Sequence, residues 1–152
     1  DCSYDPLALL AMIPKLEGDV DLVTASPYHP HGFVSGVPAW RLVLSKTLSR
    51  MYQLLLHNKL WTYTSCFRVY RRDRVLDIHP RYGDFRGIVE ILAHLDLSGG
   101  SIREYPATLQ SRIFGYSKMK TVKTIWGHLR LLCRLVGTRM KSRERNGVRA
   151  WE

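Results

Sequence analysis

The chain has 152 residues, and 23 Lys and Arg against 13 Asp and Glu give it a net charge of +10. This excess of positive charge indicates an anionic partner: nucleic acid, an anionic membrane or a phosphorylated ligand. A hydrophobic content of 45% is ordinary for a globular domain, and no apolar run approaches the ~20 residues that cross a bilayer. Cys2, Cys66 and Cys133 are widely spaced, which excludes a CxxC metal pattern and predicts reduced thiols.

Hydrophobic spacing predicts an alternation of helices and strands along the chain. Asp5 is the expected N-cap of the first helix, and Pro6 lies in its first turn. The expected elements, in order, are a helix over 6–16, a buried strand over 21–26, a loop over 27–38, a helix over 40–59, a strand or strand pair over 62–70 that ends in a basic run, a helix over 88–97, a strand over 101–106, a polar loop over 110–117, a helix over 119–136 and a basic, flexible tail over 137–152.

The first six residues, Asp1-Cys2-Ser3-Tyr4-Asp5-Pro6, place two carboxylates next to a proline. Oxygen ligands at a strand-to-helix turn suit a hard divalent cation such as Mg²⁺ or Mn²⁺. Such an ion can bridge the phosphates of a substrate and neutralise a phosphate leaving group. The alternative is a simple helix cap. Because sites of this kind follow a scaffold, we expect the chain to be the carboxy-terminal part of an enzyme, beginning inside its metal-binding motif.

Two clusters of basic and hydroxyl residues are typical of phosphate binding. Arg41 and Ser45 lie four residues apart at the start of a predicted helix, so they share a face. Arg112, Ser117 and Lys118 follow one another in a predicted loop. Arginine offers paired planar donors to a phosphate, and lysine adds a point charge. Each cluster by itself also fits a solvated basic patch.

Two further polar residues stand among apolar neighbours. Arg68 alternates with Phe67 and Val69 in a predicted strand and could point toward a site. Glu90 lies on the apolar face of a predicted helix. We interpret Glu90 as the structural partner of an arginine, with a functional acid as the alternative.

The predicted helix over 119–136 is amphipathic. Its apolar stripe includes Ile125, Trp126 and Leu129, and its basic residues lie largely off that stripe. A basic amphipathic helix with a tryptophan is suited to the interface of an anionic membrane. The alternative is a core-facing helix with a solvated basic side, and the basic tail favours the membrane.

Taken in order, these motifs resemble the family 2 glycosyltransferases, and among them the polyprenyl-phosphate sugar transferases of the dolichol-phosphate mannosyltransferase type. Asp1 looks like the second Asp of the family's Asp-x-Asp motif, and residues 21–28 are similar to its Asp-x-Val-x-Gly-Ser-Arg-Tyr strand. Arg41 and Ser45 match Arg-x-x-x-Ser, and residues 64–68 resemble Thr-Ser-Gly-Phe-Arg. Residues 104–118 resemble Glu-x-Pro…Arg-x-x-Gly-x-Ser-Lys, and the whole resemblance covers about residues 1–136.

The resemblance implies an α/β fold of the GT-A type, the Rossmann-like fold of nucleotide-diphospho-sugar transferases. It also implies a GDP- or UDP-sugar donor, a divalent metal (Mg or Mn) and inverting transfer of the sugar to a polyprenyl phosphate, dolichyl or undecaprenyl, at the cytoplasmic face of a membrane. Asp1 would hold the metal with help from Ser3, and Arg68 and Glu90 are candidates to line the site. The phosphate- and substrate-binding residues would be Arg41, Ser45, Arg112, Ser117 and Lys118.

Three positions depart from the family pattern. Pro27 replaces an Arg, Cys66 replaces a Gly, and Thr62 stands where an Asp is common. These departures bear on the acceptor more than on the fold. The family's nucleotide-binding amino-terminal half is not among these residues, so we expect this piece alone to be inactive.

Three other interpretations remain open. One is a family 2 enzyme with another acceptor, a glycan or a different lipid. Another is a basic nucleic-acid-binding module, for which the sequence offers no recognisable motif and which we expect least. The third is a non-catalytic membrane-binding relative. In the interpretation that we prefer, residues 1–136 belong to the catalytic domain and residues 137–152 form the tail.

Overall fold

The computed structural model describes residues 3–111 and 121–148, and in the second range it describes the side chains of residues 124–139. The helices of these ranges are α1 (Ala8–Met12), α2 (Ala39–Leu55), α3 (Arg72–Val75), α4 (Phe85–Leu97) and α5 (Thr121–Val148), with a short 3₁₀ helix, Ile13–Lys15, after α1. The strands are β1 (Val20–Ser26), β2 (Phe33–Ser35), β3 (Arg68–Tyr70), β4 (Ser101–Pro106) and β5 (Thr108–Gln110).

β1 is the centre of a mixed three-stranded sheet with the order β3-β1-β4. It pairs antiparallel with β3, where Val23 lies opposite Val69, and parallel with β4, where Thr24 lies opposite Glu104. All seven residues of β1 are buried, which is expected of a strand covered on both faces. A separate parallel pair joins β2 to β5. The described residues therefore form a mixed α/β structure, as the sequence predicts.

The two faces of β1 contribute side chains to two different apolar clusters. Leu22 belongs to the larger cluster, which α2, α4 and α5 complete through Tyr52, Leu92 and Leu131 among others. On the opposite face Val23 joins a smaller cluster with Met12 from α1. The helices α2, α4 and α5 thus form a layer on one side of the sheet, and α1 lies on the other.

A buried aspartate explains why α2 ends at Leu55 and not near Lys59. The carboxylate of Asp96, on α4, accepts hydrogen bonds from the backbone N–H of His57 at 2.7 Å and of Asn58 at 2.6 Å. These N–H groups cannot continue a helix while they bind the carboxylate. The expected boundary was four residues too late because the partner lies in a distant part of the sequence.

Several expected loops and strands differ in the structure. The segments that we expected to be loops contain β2 and part of β5. These two short strands pair with each other, and neither is long enough to produce a local sequence pattern. Residues 62–64 are not a strand. The basic run after β3 forms α3, where Arg74 Nε lies 3.1 Å from Asp21 Oδ1.

α5 continues to Val148, beyond the expected helix end at Val136. Its extension contacts α2, since Arg139 donates hydrogen bonds to the backbone carbonyls of Leu54 and Leu55. A guanidinium at the carboxyl end of a helix satisfies carbonyls that have no partner inside the helix. The residues from 137 onward lack an apolar pattern, but nothing in their sequence stops a helix before Val148.

Candidate functional site

A cavity of about 540 Å³ opens between the amino-terminal segment, α2 and the loop that precedes β3. We refer to it as the hydroxyl cavity, because five hydroxyl residues line it: Ser3, Ser45, Thr62, Thr64 and Ser65. Aromatic rings complete the walls, from Tyr4, Tyr28, Phe67 and Phe85. Hydroxyl groups together with aromatic faces are the kind of lining that binds a polar ligand with apolar ring faces.

Stacking and hydrogen bonds fix the aromatic walls. The rings of Tyr4 and Phe67 stack with centroids 5.3 Å apart, and Ser65 Oγ donates to the hydroxyl of Tyr4 at 3.4 Å. Burial raises the pKa of Tyr4, with the Ser65 hydrogen bond opposing it. Burial also raises the pKa of Tyr28, and a hydrogen bond with Ser45 opposes that shift. Both phenols therefore stay protonated and can donate to a ligand.

Glu104, on β4, holds the loop that forms one wall of the hydroxyl cavity. Its two carboxylate oxygens accept hydrogen bonds from the backbone N–H groups of Trp61 and Thr62, each at 2.9 Å. The buried hydroxyl of Thr62 lies 2.9 Å from that of Ser26, at the end of β1. The wall is therefore attached to two neighbouring strands of the sheet, which fixes Thr62 and Thr64 relative to α2.

A second cavity, of about 310 Å³, runs between α2 and α5 and adjoins the first. We refer to it as the apolar groove, since Leu44, Leu48, Met51, Ile125 and Leu129 line it. Ser45, Thr64 and Phe85 line both cavities. A ligand with a polar head and an apolar tail would find a matching surface for each part on the two sides of these residues.

Arg41 lines the apolar groove near the wall that the two cavities share. Its guanidinium carbon lies 5.1 Å from the centroid of the Trp40 ring, over the ring face. Its Nε atom is buried and has no hydrogen-bond partner in the described residues. A buried donor without a partner costs free energy, and an acceptor on a ligand in the groove would supply that partner.

A buried pair of side chains lies behind the apolar groove. The hydroxyl of Tyr52, on α2, lies 3.0 Å from Nδ1 of His128, on α5, and His128 also contributes to the groove. Burial lowers the pKa of His128, while the charge of Asp84 opposes the shift. Burial also raises the pKa of Tyr52 far above its ordinary value. The pair is therefore neutral near pH 7 and joins the two helices.

The structure brings together three of the residues that the sequence proposes for the site. Ser3 and Ser45 line the hydroxyl cavity, and Arg41 lines the adjoining groove. Asp1 and the loop cluster of Arg112, Ser117 and Lys118 lie outside the described residues. β5 ends at Gln110, whose N–H donates to the carbonyl of Ser3, so the chain enters that loop beside the hydroxyl cavity.

Arg68 and Glu90 line neither cavity. Arg68 donates to the backbone carbonyls of Tyr63 and Ile88, each at 2.6 Å, and so joins the loop before β3 to α4. Glu90 is buried and accepts from the N–H of Arg81 at 2.8 Å, with Arg134 at 3.9 Å. Both side chains are engaged in holding the fold, and Glu90 has the arginine partner that its apolar setting suggests.

The described residues do not by themselves form a metal site. They contain no cluster of three His, Cys, Asp or Glu side chains that could hold an ion. Asp5 is not the N-cap that the sequence predicts, because α1 begins at Ala8 with Leu7 as its N-cap. Asp5 Oδ1 instead accepts from the N–H of Leu7 at 2.9 Å, in the turn before the helix. Asp1, the metal ligand that the resemblance implies, lies outside the described residues.

The described cysteines are free thiols. Cys66 lines the hydroxyl cavity, and burial raises the pKa of its thiol. Cys133 lies on the exposed side of α5. A raised pKa favours the protonated thiol, which is the less nucleophilic form of cysteine.

Sequence reasoning missed Glu104 as the residue that positions the cavity loop and missed the groove between α2 and α5. The sequence gives one indication that Glu104 matters, because Glu104 is the acidic residue of the Glu-x-Pro segment. The groove has no signal in either helix alone, since it requires both to be placed side by side.

No helix in the described residues is both long and apolar enough to cross a bilayer.

No protein-family model matches the chain. The chain is similar to a curated protein from Mycolicibacterium smegmatis named polyprenol monophosphomannose synthase. The two are 32% identical over 122 residues, which make up 78% of this chain and 46% of the other protein. The chain thus spans about half the length of the curated relative that it matches.

Proposed function

We propose that the chain belongs to a glycosyltransferase that transfers a sugar from a nucleotide-sugar donor to a polyprenyl phosphate at the cytoplasmic face of a membrane. The named relative favours mannose as the sugar, and GDP-mannose is then the first donor to test, before UDP-sugars. We further propose that the enzyme is of family 2 and has the GT-A fold, of which these residues form the carboxy-terminal part.

One observation supports this proposal most strongly: the hydroxyl cavity and the apolar groove meet at Ser45 and Thr64, with Arg41 beside the junction. A polyprenyl phosphate has a dianionic head on an apolar tail. The tail matches the groove, and the head matches a guanidinium with a buried, unpartnered Nε. A sugar, which presents hydroxyl groups and apolar ring faces, matches the lining of the hydroxyl cavity.

The chemistry needs little from the protein beyond position and charge. A phosphate oxygen of the acceptor forms a bond to the anomeric carbon of the sugar while the bond from that carbon to the nucleoside diphosphate breaks, which inverts the configuration. The acceptor phosphate is already an anion at neutral pH, so no strong base is required. Arg41 and Ser45 would hold the acceptor phosphate, and Arg112, Ser117 and Lys118 would bind phosphate groups of donor or acceptor.

We also propose that Asp1, with help from Ser3, binds Mg²⁺ or Mn²⁺. The proposal stands on the sequence motif, and the position of Ser3 in the wall of the hydroxyl cavity supports it. Manganese binding to the full-length protein, followed by electron paramagnetic resonance, tests this without an activity assay. Replacement of Asp1 by Asn should weaken binding, whereas replacement of the exposed Asp19 should not.

The test of the proposed function uses the full-length natural protein that contains these residues. Labelled GDP-mannose, or a UDP-sugar, is incubated with polyprenyl phosphate in vesicles, and label in the lipid fraction is measured. We expect transfer that depends on the acceptor phosphate, with free polyprenol as the inactive control. Transfer to a glycan acceptor in place of the lipid phosphate, or no transfer from any donor, would contradict the proposal.

A further inference from the structure

We propose that Phe85 is a specificity-determining residue, whose ring divides the hydroxyl cavity from the apolar groove and contacts the hydrocarbon next to the acceptor phosphate. Asp84 and Arg86, its neighbours in the sequence, are then positioning residues that fix Phe85 relative to α5. The chemical class of the ligand, an isoprenyl phosphate, rests on the proposed function. Its binding can be measured without any sugar transfer, so the two proposals can fail separately.

Phe85 stands where the two cavities meet. Three residues line both cavities, and Phe85 is the apolar one among them, since Ser45 and Thr64 carry hydroxyls that lie 3.1 Å apart. Phe85 is 46% exposed, so a large part of its surface is available for contact with a ligand. A ligand that occupies both cavities passes this side chain.

The Asp84–Arg86 pair flanks Phe85 in the sequence and fixes the first turn of α4. Asp84 is the N-cap of α4, and its Oδ1 accepts from the backbone N–H of Arg86 at 2.9 Å. The guanidinium of Arg86 binds the same carboxylate through two of its nitrogens, with Nε 2.9 Å from Oδ1 and Nη2 2.6 Å from Oδ2. A paired contact of this kind fixes the orientation of both groups. The backbone that carries the Phe85 ring is therefore held on each side.

Arg86 also attaches this turn to the rest of the fold. Its guanidinium carbon lies over the ring of Tyr82, 4.2 Å from the centroid, and Tyr82 packs against the larger apolar cluster. On α5, Arg86 passes directly over Gly127, where an added Cβ would lie 2.7 Å from Arg86 Cδ and 3.1 Å from its Nε. His128, the next residue of α5, lines the groove. The start of α4 is thus fixed against the helix that forms one wall of the groove.

The chemistry of an isoprenyl phosphate fits this arrangement. In the proposed function Arg41 and Ser45 hold the phosphate, and Ser45 lies at the same junction as Phe85. The hydrocarbon begins one ester bond away from the phosphate, which brings its first isoprene unit to the junction as well. A hydrocarbon that covers the Phe85 ring removes apolar surface from water, which is favourable. A ring in this place also keeps the hydrocarbon out of the cavity that the sugar needs.

The first experiment measures the affinity of the full-length protein for farnesyl phosphate and for inorganic phosphate by isothermal titration calorimetry. The test variant is Phe85→Ala, and Phe85→Leu restores an apolar side chain. The matched control is Phe33→Ala, on β2, because Phe33 is 63% exposed and lines neither cavity. Urea denaturation of each variant checks that it is folded.

We expect Phe85→Ala to weaken the binding of farnesyl phosphate by about tenfold, because the contact with the hydrocarbon is lost. The affinity for inorganic phosphate should stay the same. Phe85→Leu should regain most of the affinity for farnesyl phosphate, and Phe33→Ala should bind both ligands like the natural protein. The proposal is overturned if Phe85→Ala binds farnesyl phosphate as the natural protein does, or if it weakens the binding of both ligands equally.

The second experiment tests the positioning residues through Gly127. Gly127→Ala places a methyl group against Arg86, so the Arg86 side chain has to shift and its contact with Asp84 is disturbed. Gly137→Ala is a matched control in the same helix, because an added Cβ there meets nothing within 4 Å. Alanine has a higher helix propensity than glycine at both positions, so the contact with Arg86 is what separates the two variants.

Gly127→Ala should weaken the binding of farnesyl phosphate at least about threefold, and by no more than Phe85→Ala does, because it displaces the same contact. The affinity for inorganic phosphate should not change, and Gly137→Ala should leave both affinities as they are. Equal affinities of the two glycine variants for farnesyl phosphate would exclude Asp84 and Arg86 as positioning residues.

Steady-state rates separate this inference from the proposed function. If Phe85→Ala weakens the binding of farnesyl phosphate but the natural protein transfers no sugar from any donor, Phe85 keeps its role in ligand binding and the proposed function fails. If the natural protein transfers sugar and Phe85→Ala changes neither the acceptor KM nor the binding of farnesyl phosphate, the function stands and the inference is overturned. A rise in the KM for the nucleotide-sugar alone would place the ring against the sugar and would also overturn the inference.

Discussion

The hydroxyl of Ser45, on α2, lies 3.1 Å from the hydroxyl of Thr64, in the loop before β3. This contact joins two elements that are 19 residues apart and stands where the hydroxyl cavity meets the apolar groove. Ser45 also hydrogen bonds with Tyr28, in the turn that follows β1. The position of the Ser45 hydroxyl is therefore set by the tertiary structure around it, as a residue that binds a phosphate would require.

In the proposed transferase, replacing Thr64 by Val should lower the catalytic efficiency by about fivefold, because Ser45 loses a neutral hydrogen bond of about 1 kcal/mol. Replacement by Ser keeps a hydroxyl and should restore most of the activity. Steady-state rates at varied acceptor concentration measure both variants. An unchanged rate for the Val variant would mean that Thr64 does not position Ser45.

In the proposed transferase, replacing Arg41 by Lys should raise the KM for the polyprenyl phosphate acceptor by about tenfold or more, since lysine keeps the charge but lacks the planar pair of donors. Replacement by Gln should raise it further. The KM for the nucleotide-sugar should change little.

The control for Arg41 is Arg72→Gln, on α3, whose side chain is exposed and lines neither cavity. Like Arg41→Gln, it removes one positive charge. It should leave the KM for the acceptor and the KM for the nucleotide-sugar unchanged. If Arg41→Gln and Arg72→Gln raise the acceptor KM equally, the effect reflects net charge and not a phosphate contact.

Replacing Glu104 by Ala should lower the free energy of unfolding by about 2 kcal/mol, because two backbone N–H groups lose a charged acceptor. Glu104→Gln keeps one acceptor oxygen and should lose less. Urea denaturation measures both, and Arg103→Gln, an exposed neighbour on the same strand, is the control. Equal unfolding free energies for the Ala variant and the natural protein would exclude Glu104 as the clamp of the cavity loop.

Stability should fall as the pH drops below about 6.5, the ordinary pKa of histidine. Burial lowers the pKa of His128 in the folded protein, so the unfolded chain binds the proton more tightly. The stability that depends on neutral His128 is therefore fully present above the pKa of histidine in the unfolded chain. It is lost as the pH falls through the lower pKa of His128 in the folded protein. Unfolding free energies measured from pH 8 to pH 5 should show this loss.

His128→Gln keeps a hydrogen-bonding partner for Tyr52 and removes the titration. Its unfolding free energy should therefore depend less on pH than that of the natural protein over the same range. His79→Gln, at an exposed position in a loop, is the matched control for the substitution. If the free energy of unfolding changes with pH equally in the His128 variant and the natural protein, another group is responsible for the pH dependence.

Local patterns predicted the main elements because each has a periodicity of its own. The buried run at 21–26, the helical spacing from Trp40 and the strand at 101–106 all lie where the sequence indicates. β2 and β5 are only three residues long each and pair with one another, so no local pattern identifies them. The carboxyl end of α2 depends on Asp96, about forty residues later in the chain.

By itself the sequence determined the α/β class, the positive charge, and Arg41 and Ser45 as a pair on one helix face. These follow from residue type and from the period of a helix, which are local properties. Only the tertiary structure decided that Arg68 and Glu90 hold the fold, that Glu104 fixes the cavity wall, and that α2 and α5 enclose an apolar groove. A cavity or a buried contact belongs to several elements at once, and its existence depends on how the chain brings distant residues together.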